Sequence, residues 1–209
     1  MDKFILILGL ILSCLNCCEK VNNTTEIVET NIYNSILDTI NTSKYNASEN
    51  IIILVDYNIP SNQDRLFIFD LKNKSLLYSC WCAHGFGGGS TNTSPKFSNE
   101  IGSNCSSLGL FLIDRWEGIG VTYGYPYHSV EGLSITNSNA RKRQILIHPW
   151  HSVTKDNSSQ IKTPMECDYR SAGCFTVTDS GYKTIHNYII NEPKKILLYS
   201  FYNYENKIN

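Results

Sequence analysis

The spacing of apolar residues divides the chain into three segments. Phe4 to Leu12 is an apolar run, too short for a membrane-spanning helix of about 20 residues but suited to a secretory signal. Residues 19–49 are mostly polar, yet apolar side chains recur in them every four positions, at Val28, Ile32, Ile36 and Ile40. This spacing predicts an amphipathic helix within a polar tether. The predicted segments are a signal (1–18), a tether with a short helix (19–49) and a folded domain (50–203).

Short apolar runs separated by turn residues dominate the folded domain. They predict strands at Ile51–Val55, Arg65–Asp70, Ser75–Cys82, Leu108–Ile113, Gln144–Ile147, Cys174–Val177 and Lys195–Tyr202. Asp179 is the predicted N-cap of a helix whose apolar positions are Tyr182, Ile185, Tyr188 and Ile189. This succession predicts a mainly β domain, a β-rich α+β fold preceded by a short N-terminal helix.

Composition excludes two classes of protein. Hydrophobic residues make up 42% of the 209 positions, which is enough for a core and too many for a disordered chain. The formal net charge is -1, from 18 Lys and Arg against 19 Asp and Glu. Because nucleic-acid binding needs a basic surface, no nucleic-acid partner is expected.

The N-terminal segment predicts export to the periplasm or cell envelope. Met1-Asp2-Lys3 precedes the apolar run, and Ser13-Cys14 follows it directly. A small residue before a cysteine at this point resembles a bacterial lipobox, in which Cys14 becomes the lipidated first residue. The protein would then contact the membrane through a lipid anchor. The alternative is an ordinary signal cleaved near Cys18.

Five cysteines remain in the body of the chain, at positions 80, 82, 105, 167 and 174. In an oxidising compartment an odd number points to one reactive thiol. The other four are expected to include at least one disulfide, whose pairing the sequence leaves open. Cys80 and Cys82 share one face of a strand, but Cys-x-Cys without a second pair is a weak zinc signal. No metal and no organic cofactor are expected.

The turn Ser171-Ala172-Gly173-Cys174 carries the strongest chemical signal. Gly173 allows the backbone to turn sharply or to approach a substrate closely, so Cys174 is presented at the start of a strand. The backbone amides of Gly173 and Cys174 could both bind an oxyanion. Such a thiol needs a base. His148, at the end of an apolar strand, is preferred to His84 and His151, and the histidines at 128 and 186 lie in loop-like or helical surroundings. Taken alone, Cys174 is also open to interpretation as half of a disulfide or a buried small residue.

Five motifs in order resemble the L,D-transpeptidases, the YkuD-like enzymes of the bacterial cell wall, and more narrowly their murein L,D-transpeptidase branch. They are Ala83-His84-Gly85, Phe97-Ser98-Asn99 with Gly102-Ser103, Ser106-Ser107-Leu108-Gly109, Asn137 to Arg143, and Ile147-His148 with Ser171-Ala172-Gly173-Cys174. The resemblance extends from about Ile51 to Tyr202, most of the mature chain.

The resemblance implies a catalytic domain with a cysteine nucleophile. A peptidoglycan stem tetrapeptide would acylate Cys174 and lose its terminal D-Ala, and His148 would take the thiol proton. The acyl group would then pass to an amine or to water, a choice that the sequence leaves open. A carbapenem β-lactam would acylate the same thiol.

Further site residues follow from the same resemblance. Ser171 would lie close to the nucleophile and its base, and the amides of Gly173 and Cys174 would hold the oxyanion. The residues assigned to substrate binding are His84, Ser107 and Arg141.

Three features depart from the family pattern. Pro149 follows the base histidine where glycine is common, and Trp150-His151-Ser152 replaces an Ala-Asp-Tyr stretch. Thr176 stands where many relatives have arginine. Apart from these three features, the interval between His148 and Cys174 contains a polar insert, Lys155 to Lys162, which predicts a lid. Two alternatives therefore stay open: a cysteine peptidase or amidase acting on another peptide, and a non-catalytic wall-binding module with a degenerate site.

Overall fold

The structure is a computed structural model and describes residues 32–120, 124–150 and 171–203. The chain divides into two compact units, Met1–Ile40 with Ile208–Asn209, and Asn41–Lys207. In the first unit, residues 32–39 form a helix, α1. The predicted amphipathic helix is thereby confirmed at Ile32 and Ile36, whereas the predicted position Ile40 lies just past the helix end and Val28 lies outside the described residues. No helix in the described ranges is long and apolar enough to cross a membrane.

The second unit contains eight strands and one α-helix among its described residues. They are β1 (Ala47–Asp56), β2 (Asp64–Asp70), β3 (Ser75–Trp81), β4 (Gly109–Ile119), β5 (Pro126–Gly132), β6 (Leu146–Pro149), β7 (Phe175–Val177), α2 (Asp179–Asn191) and β8 (Lys195–Phe201). The predicted mainly β fold is confirmed. One strand, β5, was not predicted, and β4 continues six residues beyond the predicted end at Ile113.

The strands form one sheet in the order β3-β2-β1-β8-β4-β5-β6-β7. β1 pairs in parallel with β8 and β6 in parallel with β7, while the other neighbours are antiparallel. The two outermost strands also meet at one end. Cys82, directly after β3, bridges Val177 of β7, and the Ala83 amide donates to the Thr176 carbonyl at 2.7 Å. The sheet therefore curls into a barrel-like shape.

Alternation along the strands fills one side of this sheet with apolar side chains. Phe111 of β4 and Phe175 of β7 meet edge to face, with ring centroids 5.2 Å apart, and Ile147 of β6 is fully buried in the same cluster. Helix α2 adds Ile185 and Ile189 to this cluster. The side chains of β6 and β7 that point the other way are those available for chemistry.

The N-cap of helix α2 lies one residue earlier than the sequence predicted. Thr178, not Asp179, is the N-cap, and its Oγ1 accepts the Gly181 amide at 2.9 Å. Asp179 is the first helical residue, where a negative charge is also favourable because of the helix dipole. The predicted apolar positions Tyr182, Ile185 and Ile189 are buried as expected.

Candidate active site

The turn before β7 presents Cys174 as the sequence predicted. Gly173 has φ +115°, and a Cβ there would lie 2.6 Å from the Cys105 carbonyl oxygen, so only glycine fits this close approach without strain. Ser171 Oγ donates to the Cys174 carbonyl at 2.7 Å and accepts the Gly173 amide at 3.0 Å. Ser171 thus fixes the shape of the turn. In this conformation the Gly173 amide, expected to bind an oxyanion, faces Ser171.

The Ser171 turn is attached to the segment that follows β3. Ser171 and Gly85 form a parallel bridge, and the Phe86 amide donates to the Ser171 carbonyl at 3.0 Å. Because this segment and β7 are linked at two points, the position of Cys174 depends on the barrel closure as well as on its own strand.

His148 lies at the far end of β6, and its hydrogen bonds define its tautomer. Nδ1 is 3.0 Å from the Pro149 carbonyl oxygen, which can only accept, so Nδ1 carries the proton. Nε2 is then unprotonated and accepts from Thr176 Oγ1 at 3.1 Å. Burial lowers the imidazole pKa, although the bond to Pro149 raises it in part, so the neutral ring with a basic Nε2 is favoured.

The register of β6 and β7 relates the imidazole to the thiol. His148 pairs with Thr176, and Cys174 lies two residues before Thr176. Residues two positions apart in a strand lie on one face, about 7 Å apart along the chain. Nε2 therefore meets the Thr176 hydroxyl, while the thiol donates to the Gln144 carbonyl at 3.6 Å. Neither hydrogen bond joins the thiol to the imidazole in this conformation.

The surroundings of Cys174 keep its thiol protonated. Burial raises the thiol pKa to about 11, while a hydrogen bond from the Leu146 backbone and the charge of Arg143 lower it in part. Gln144, whose carbonyl accepts from the thiol, has φ 55°, an uncommon conformation for a residue other than glycine. Cys174 is nonetheless partly exposed, in contrast to the buried Cys80, Cys82 and Cys105.

Arg143, rather than the predicted Arg141, lies at the nucleophile turn. Its Nη1 donates to the Ser98 carbonyl at 2.7 Å and to Ser107 Oγ at 2.5 Å, and its Nη2 donates to the Cys105 carbonyl. A Cβ on Gly173 would lie 2.9 Å from Nη2, so the guanidinium packs directly against this turn. Arg143 thus brings positive charge beside a thiol that must become negative.

Ser107 is 2% exposed, and its hydroxyl holds Arg143. It also donates to the Ser98 carbonyl at 3.2 Å. In this conformation Ser107 therefore supports the arginine and does not face an open surface. Its predicted contact with substrate stays a prediction.

Arg141 belongs to a separate surface cluster. Its guanidinium donates to Asp114 Oδ2 at 2.5 Å and to Ser129 Oγ at 2.8 Å, and Lys195 Nζ donates to Asp114 Oδ1 at 2.6 Å. Despite partial burial, these hydrogen bonds lower the Asp114 pKa to about 2. With 45% of its side chain exposed, Arg141 is paired with Asp114 and is not part of the Cys174 turn.

His84 is fully buried, and both of its ring nitrogens are engaged. Nδ1 accepts from Arg65 Nη2 at 2.7 Å, and Nε2 donates to the Thr91 carbonyl at 2.9 Å. Burial, together with the Arg65 charge, lowers the His84 pKa to about 3. In this conformation His84 holds the loop after β3, and its predicted role in substrate binding would require it to give up these partners.

Several predicted features lie outside the described residues. They are Cys14, Cys167, His151 and the insert Lys155 to Lys162. Among the described cysteines no disulfide forms. The expected sharing of a face by Cys80 and Cys82 is confirmed, since both lie in the core cluster.

Two residues near the site were not singled out from the sequence. Thr176, regarded only as a departure from the family pattern, is the partner of the His148 Nε2. Arg143 occurs in the same motif as Arg141, but this stretch is a series of turns with no periodicity to indicate which arginine points inward. The feature of the sequence that could have indicated Arg143 is its position just before β6.

The arrangement suits nucleophilic attack by sulfur. A neutral thiol and a partly buried guanidinium lie at the Gly173 turn, and a neutral imidazole with an unprotonated Nε2 lies on β6, which runs parallel to the strand that follows the turn. Proton transfer from the thiol to Nε2 would form a thiolate that the charge of Arg143 stabilises.

The chain also matches the model of a known protein family. The model of the L,D-transpeptidase catalytic domain, YkuD_2, matches residues 24–200. The chain therefore belongs to the L,D-transpeptidase catalytic domain family, as the motifs indicated. No curated protein sequence gives a significant match.

Several solved structures are similar to this chain. The helical cell shape determining protein Pgp2 from Campylobacter jejuni has a TM-score of 0.44 at 13% identity, covering 74% of this chain and 48% of its own. The L,D-transpeptidase from Xylanimonas cellulosilytica has a TM-score of 0.39 at 13% identity, covering 74% and 62%. For the L,D-transpeptidase from Mycobacterium smegmatis the score is 0.39 at 11% identity, covering 73% and 58%. The chain spans about half the length of the Campylobacter protein.

Proposed function

We propose that this protein is a cysteine-dependent L,D-transpeptidase acting on peptidoglycan stem peptides. The observation that carries the proposal is the Cys174 turn: a partly exposed thiol that follows Gly173, lies beside Arg143 and directly precedes β7, the strand that pairs with that of His148. Membership of the L,D-transpeptidase catalytic domain family supports the same chemistry.

In the proposed acylation, Cys174 Sγ attacks the carbonyl of the residue before the terminal D-Ala. The thiol proton goes to His148 Nε2, which must first exchange its hydrogen bond with Thr176 for one with the thiol. The resulting imidazolium gives the proton to the departing amine of D-Ala, leaving a thioester. A general base of this kind contributes roughly 10²–10⁴-fold to a rate.

The thioester then passes its acyl group to an acceptor. An amine acceptor from a second stem peptide gives a cross-link, and water gives a trimmed tripeptide. In either case His148 removes a proton from the acceptor as the acceptor bonds to the acyl carbon, and it returns that proton to the Cys174 thiolate as the C–S bond of the thioester breaks. The developing oxyanion would be held by the Cys174 amide, and by the Gly173 amide once it turns from Ser171.

Peptidoglycan as substrate places the protein in the cell envelope. The N-terminal signal-like segment supports export, and a lipid on Cys14 would keep the catalytic unit at the membrane surface. Carbapenems are the proposed inhibitors, because a strained acyl donor would form a thioester with the same thiol.

The test is mass spectrometry of disaccharide tetrapeptides incubated with the purified protein. Loss of the D-Ala mass, with a cross-linked dimer or a tripeptide as product, is expected for the parent chain. Cys174→Ala should remove this activity, whereas Cys80→Ala, which changes a buried core thiol, should keep it. D-Ala release by the Cys174 variant would overturn the mechanism, and release of a different fragment would favour a peptidase or amidase.

One observation favours a second candidate, a wall-binding module without catalysis. The thiol and the imidazole have other partners, and the thiol pKa lies far above neutrality. A carbapenem separates the two candidates, since a module without catalysis would bind muropeptides yet form no covalent adduct at Cys174.

A further inference from the structure

A second cluster of polar side chains lies beneath helix α2, on the face of the sheet turned away from His148. His128 of β5 pairs with Ile147 of β6, so it shares the face of that core residue. Glu117 lies directly opposite His128 on β4, and His186 reaches the same point from α2. None of these three residues has a part in the proposed acyl transfer.

The three side chains direct their donor atoms at one point. His128 Nε2 and His186 Nδ1 are 3.0 Å apart, and His186 Nδ1 is 3.3 Å from Glu117 Oε1. All three atoms lie within 4.8 Å of one another. Three donors bound to zinc at about 2.0–2.1 Å with tetrahedral angles would be separated by roughly 3.3 Å, a spacing close to both of these interatomic distances.

The hydrogen bonds around His128 prepare it as a ligand. Its Nδ1 donates to the Asp114 carbonyl at 2.9 Å, so the proton is on Nδ1 and Nε2 presents a lone pair to the cluster. Metal-bound histidines in proteins are oriented by such a bond from the other ring nitrogen. The Asp114 carbonyl is available because the register of β4 and β5 shifts between Ile113 and Glu117.

Glu117 is oriented in a similar way. Tyr182 of α2 donates its hydroxyl to Glu117 Oε1 at 2.9 Å, and the rings of Tyr182 and His128 stack with centroids 5.9 Å apart. The cluster is also reachable, because the side chains of His186 and Glu117 are 25% and 34% exposed. A buried, oriented imidazole, an oriented carboxylate and an accessible second imidazole together make a three-ligand set.

We propose that Glu117, His128 and His186 form a binding site for a zinc-class divalent cation. Two imidazoles and one carboxylate are ligands that zinc accepts, and a water molecule would complete a four-coordinate site. In the cluster without metal, His186 Nδ1 must donate to His128 Nε2. On binding, this proton moves to His186 Nε2, and Nδ1 coordinates the metal.

Such a cation would connect two consecutive strands with a helix that is distant from them in the sequence. Glu117 and His128 belong to neighbouring strands, whereas His186 belongs to the helix that begins directly after β7 and the Cys174 turn. The bound metal would fasten α2 to the sheet and so stabilise the support of the active site. It is not a participant in acyl transfer.

The test is a titration of the purified, chelator-treated chain with Zn²⁺ and with Co²⁺ as a spectroscopic probe. One equivalent is expected to bind, with visible cobalt bands of a nitrogen and oxygen site and no thiolate charge-transfer band. Glu117→Gln and His186→Ala should each weaken binding by about 30-fold or more, since losing even an outer-shell partner costs 10–100-fold. Both residues are partly exposed, so these variants are expected to fold.

Matched controls are Glu131→Gln on β5 and Asn187→Ala on α2, which change exposed residues on two of the elements that carry the ligands. They should bind the metal as the parent chain does. Zn²⁺ at a concentration that saturates the parent should also raise the melting temperature of the parent and control chains more than that of the two ligand variants. The proposal is overturned if the ligand variants bind as tightly as the parent, if cobalt binding is to thiolate, or if the parent binds no metal at micromolar concentrations.

Discussion

The charge state of Cys174 in the resting protein decides how acylation begins. Burial raises its pKa to about 11, and the nearest hydrogen-bonding partners of the thiol and of His148 are not each other. We therefore predict a resting site with a neutral thiol and a neutral imidazole. The alternative is a thiolate–imidazolium pair that exists before substrate binds.

The magnitude follows from the pKa. At pH 7.5 a thiol of pKa about 11 is ionised in about one molecule in 3000, whereas an ordinary thiol of pKa about 8.5 is ionised in about one in ten. The ionised fraction of Cys174 is thus about 300-fold smaller, but its more basic thiolate is about 10-fold more nucleophilic, so it should react with iodoacetamide about 30-fold more slowly than a free thiol at this pH. The logarithm of its rate should rise by about one for each pH unit, up to about pH 10.

The assay is alkylation under excess iodoacetamide, followed by peptide mapping to assign each modified cysteine. Arg143→Gln should slow the reaction of Cys174 further, because the arginine charge lowers the thiol pKa. Arg143→Lys is the matched control, since it keeps the positive charge beside the turn. A rate that is independent of pH between 6.5 and 8.5 would contradict a neutral resting site, because it would show that the thiolate is already formed.

Three further predictions concern histidines and the glycine turn. His148→Ala should slow carbapenem acylation by about 10²–10⁴-fold and His151→Ala much less, as measured by intact mass; the reverse order would make His151 the base. His84 has a pKa lowered to about 3, so its contribution to stability is complete above the unfolded pKa of about 6.5 and is lost as the pH falls towards 3. Between pH 7 and 5 the parent should therefore lose about 2 kcal/mol more unfolding free energy in urea than His84→Gln, and equal losses would contradict this assignment. Gly173→Ala should destabilise the fold by about 1–3 kcal/mol in the same assay because φ is +115°, and an unchanged midpoint would contradict the strain argument.

The pattern of apolar residues in the sequence was sufficient to predict the strands that are buried on both faces or joined by a short turn. β1 is a continuous apolar run, and Lys72 to Lys74 supply the turn between β2 and β3, so both predictions are confirmed. β5 was not predicted because its inward-facing positions include His128, a polar residue that interrupts the expected apolar pattern. The second half of β4 was not predicted because its register with β5 shifts between Ile113 and Glu117, which interrupts the alternation of apolar and polar residues.

In the candidate site, too, features that depend on neighbouring residues were predicted from the sequence, and features that depend on long-range contacts were not. The conformation of Gly173 was predicted because a glycine before a nucleophile has a local steric meaning. The contacts of Arg143 with Ser98 and Cys105, by contrast, join residues 45 and 38 positions apart, and no local pattern encodes them. The Thr176 hydroxyl reaches His148 only because two strands pair in one particular register.

The register of β6 and β7 directs their paired side chains alternately to two faces of the sheet. Ile147 and Phe175 are paired and lie in the core, while the next pair, His148 and Thr176, points the other way. A slip of one residue would bring the imidazole into the core and an isoleucine to the thiol. The register is held by the apolar contacts of Phe175, by the bridge from Cys82 to Val177 and by the bond from Ala83 to Thr176. The position of the base relative to Cys174 therefore depends on packing and barrel closure as much as on the two reactive residues.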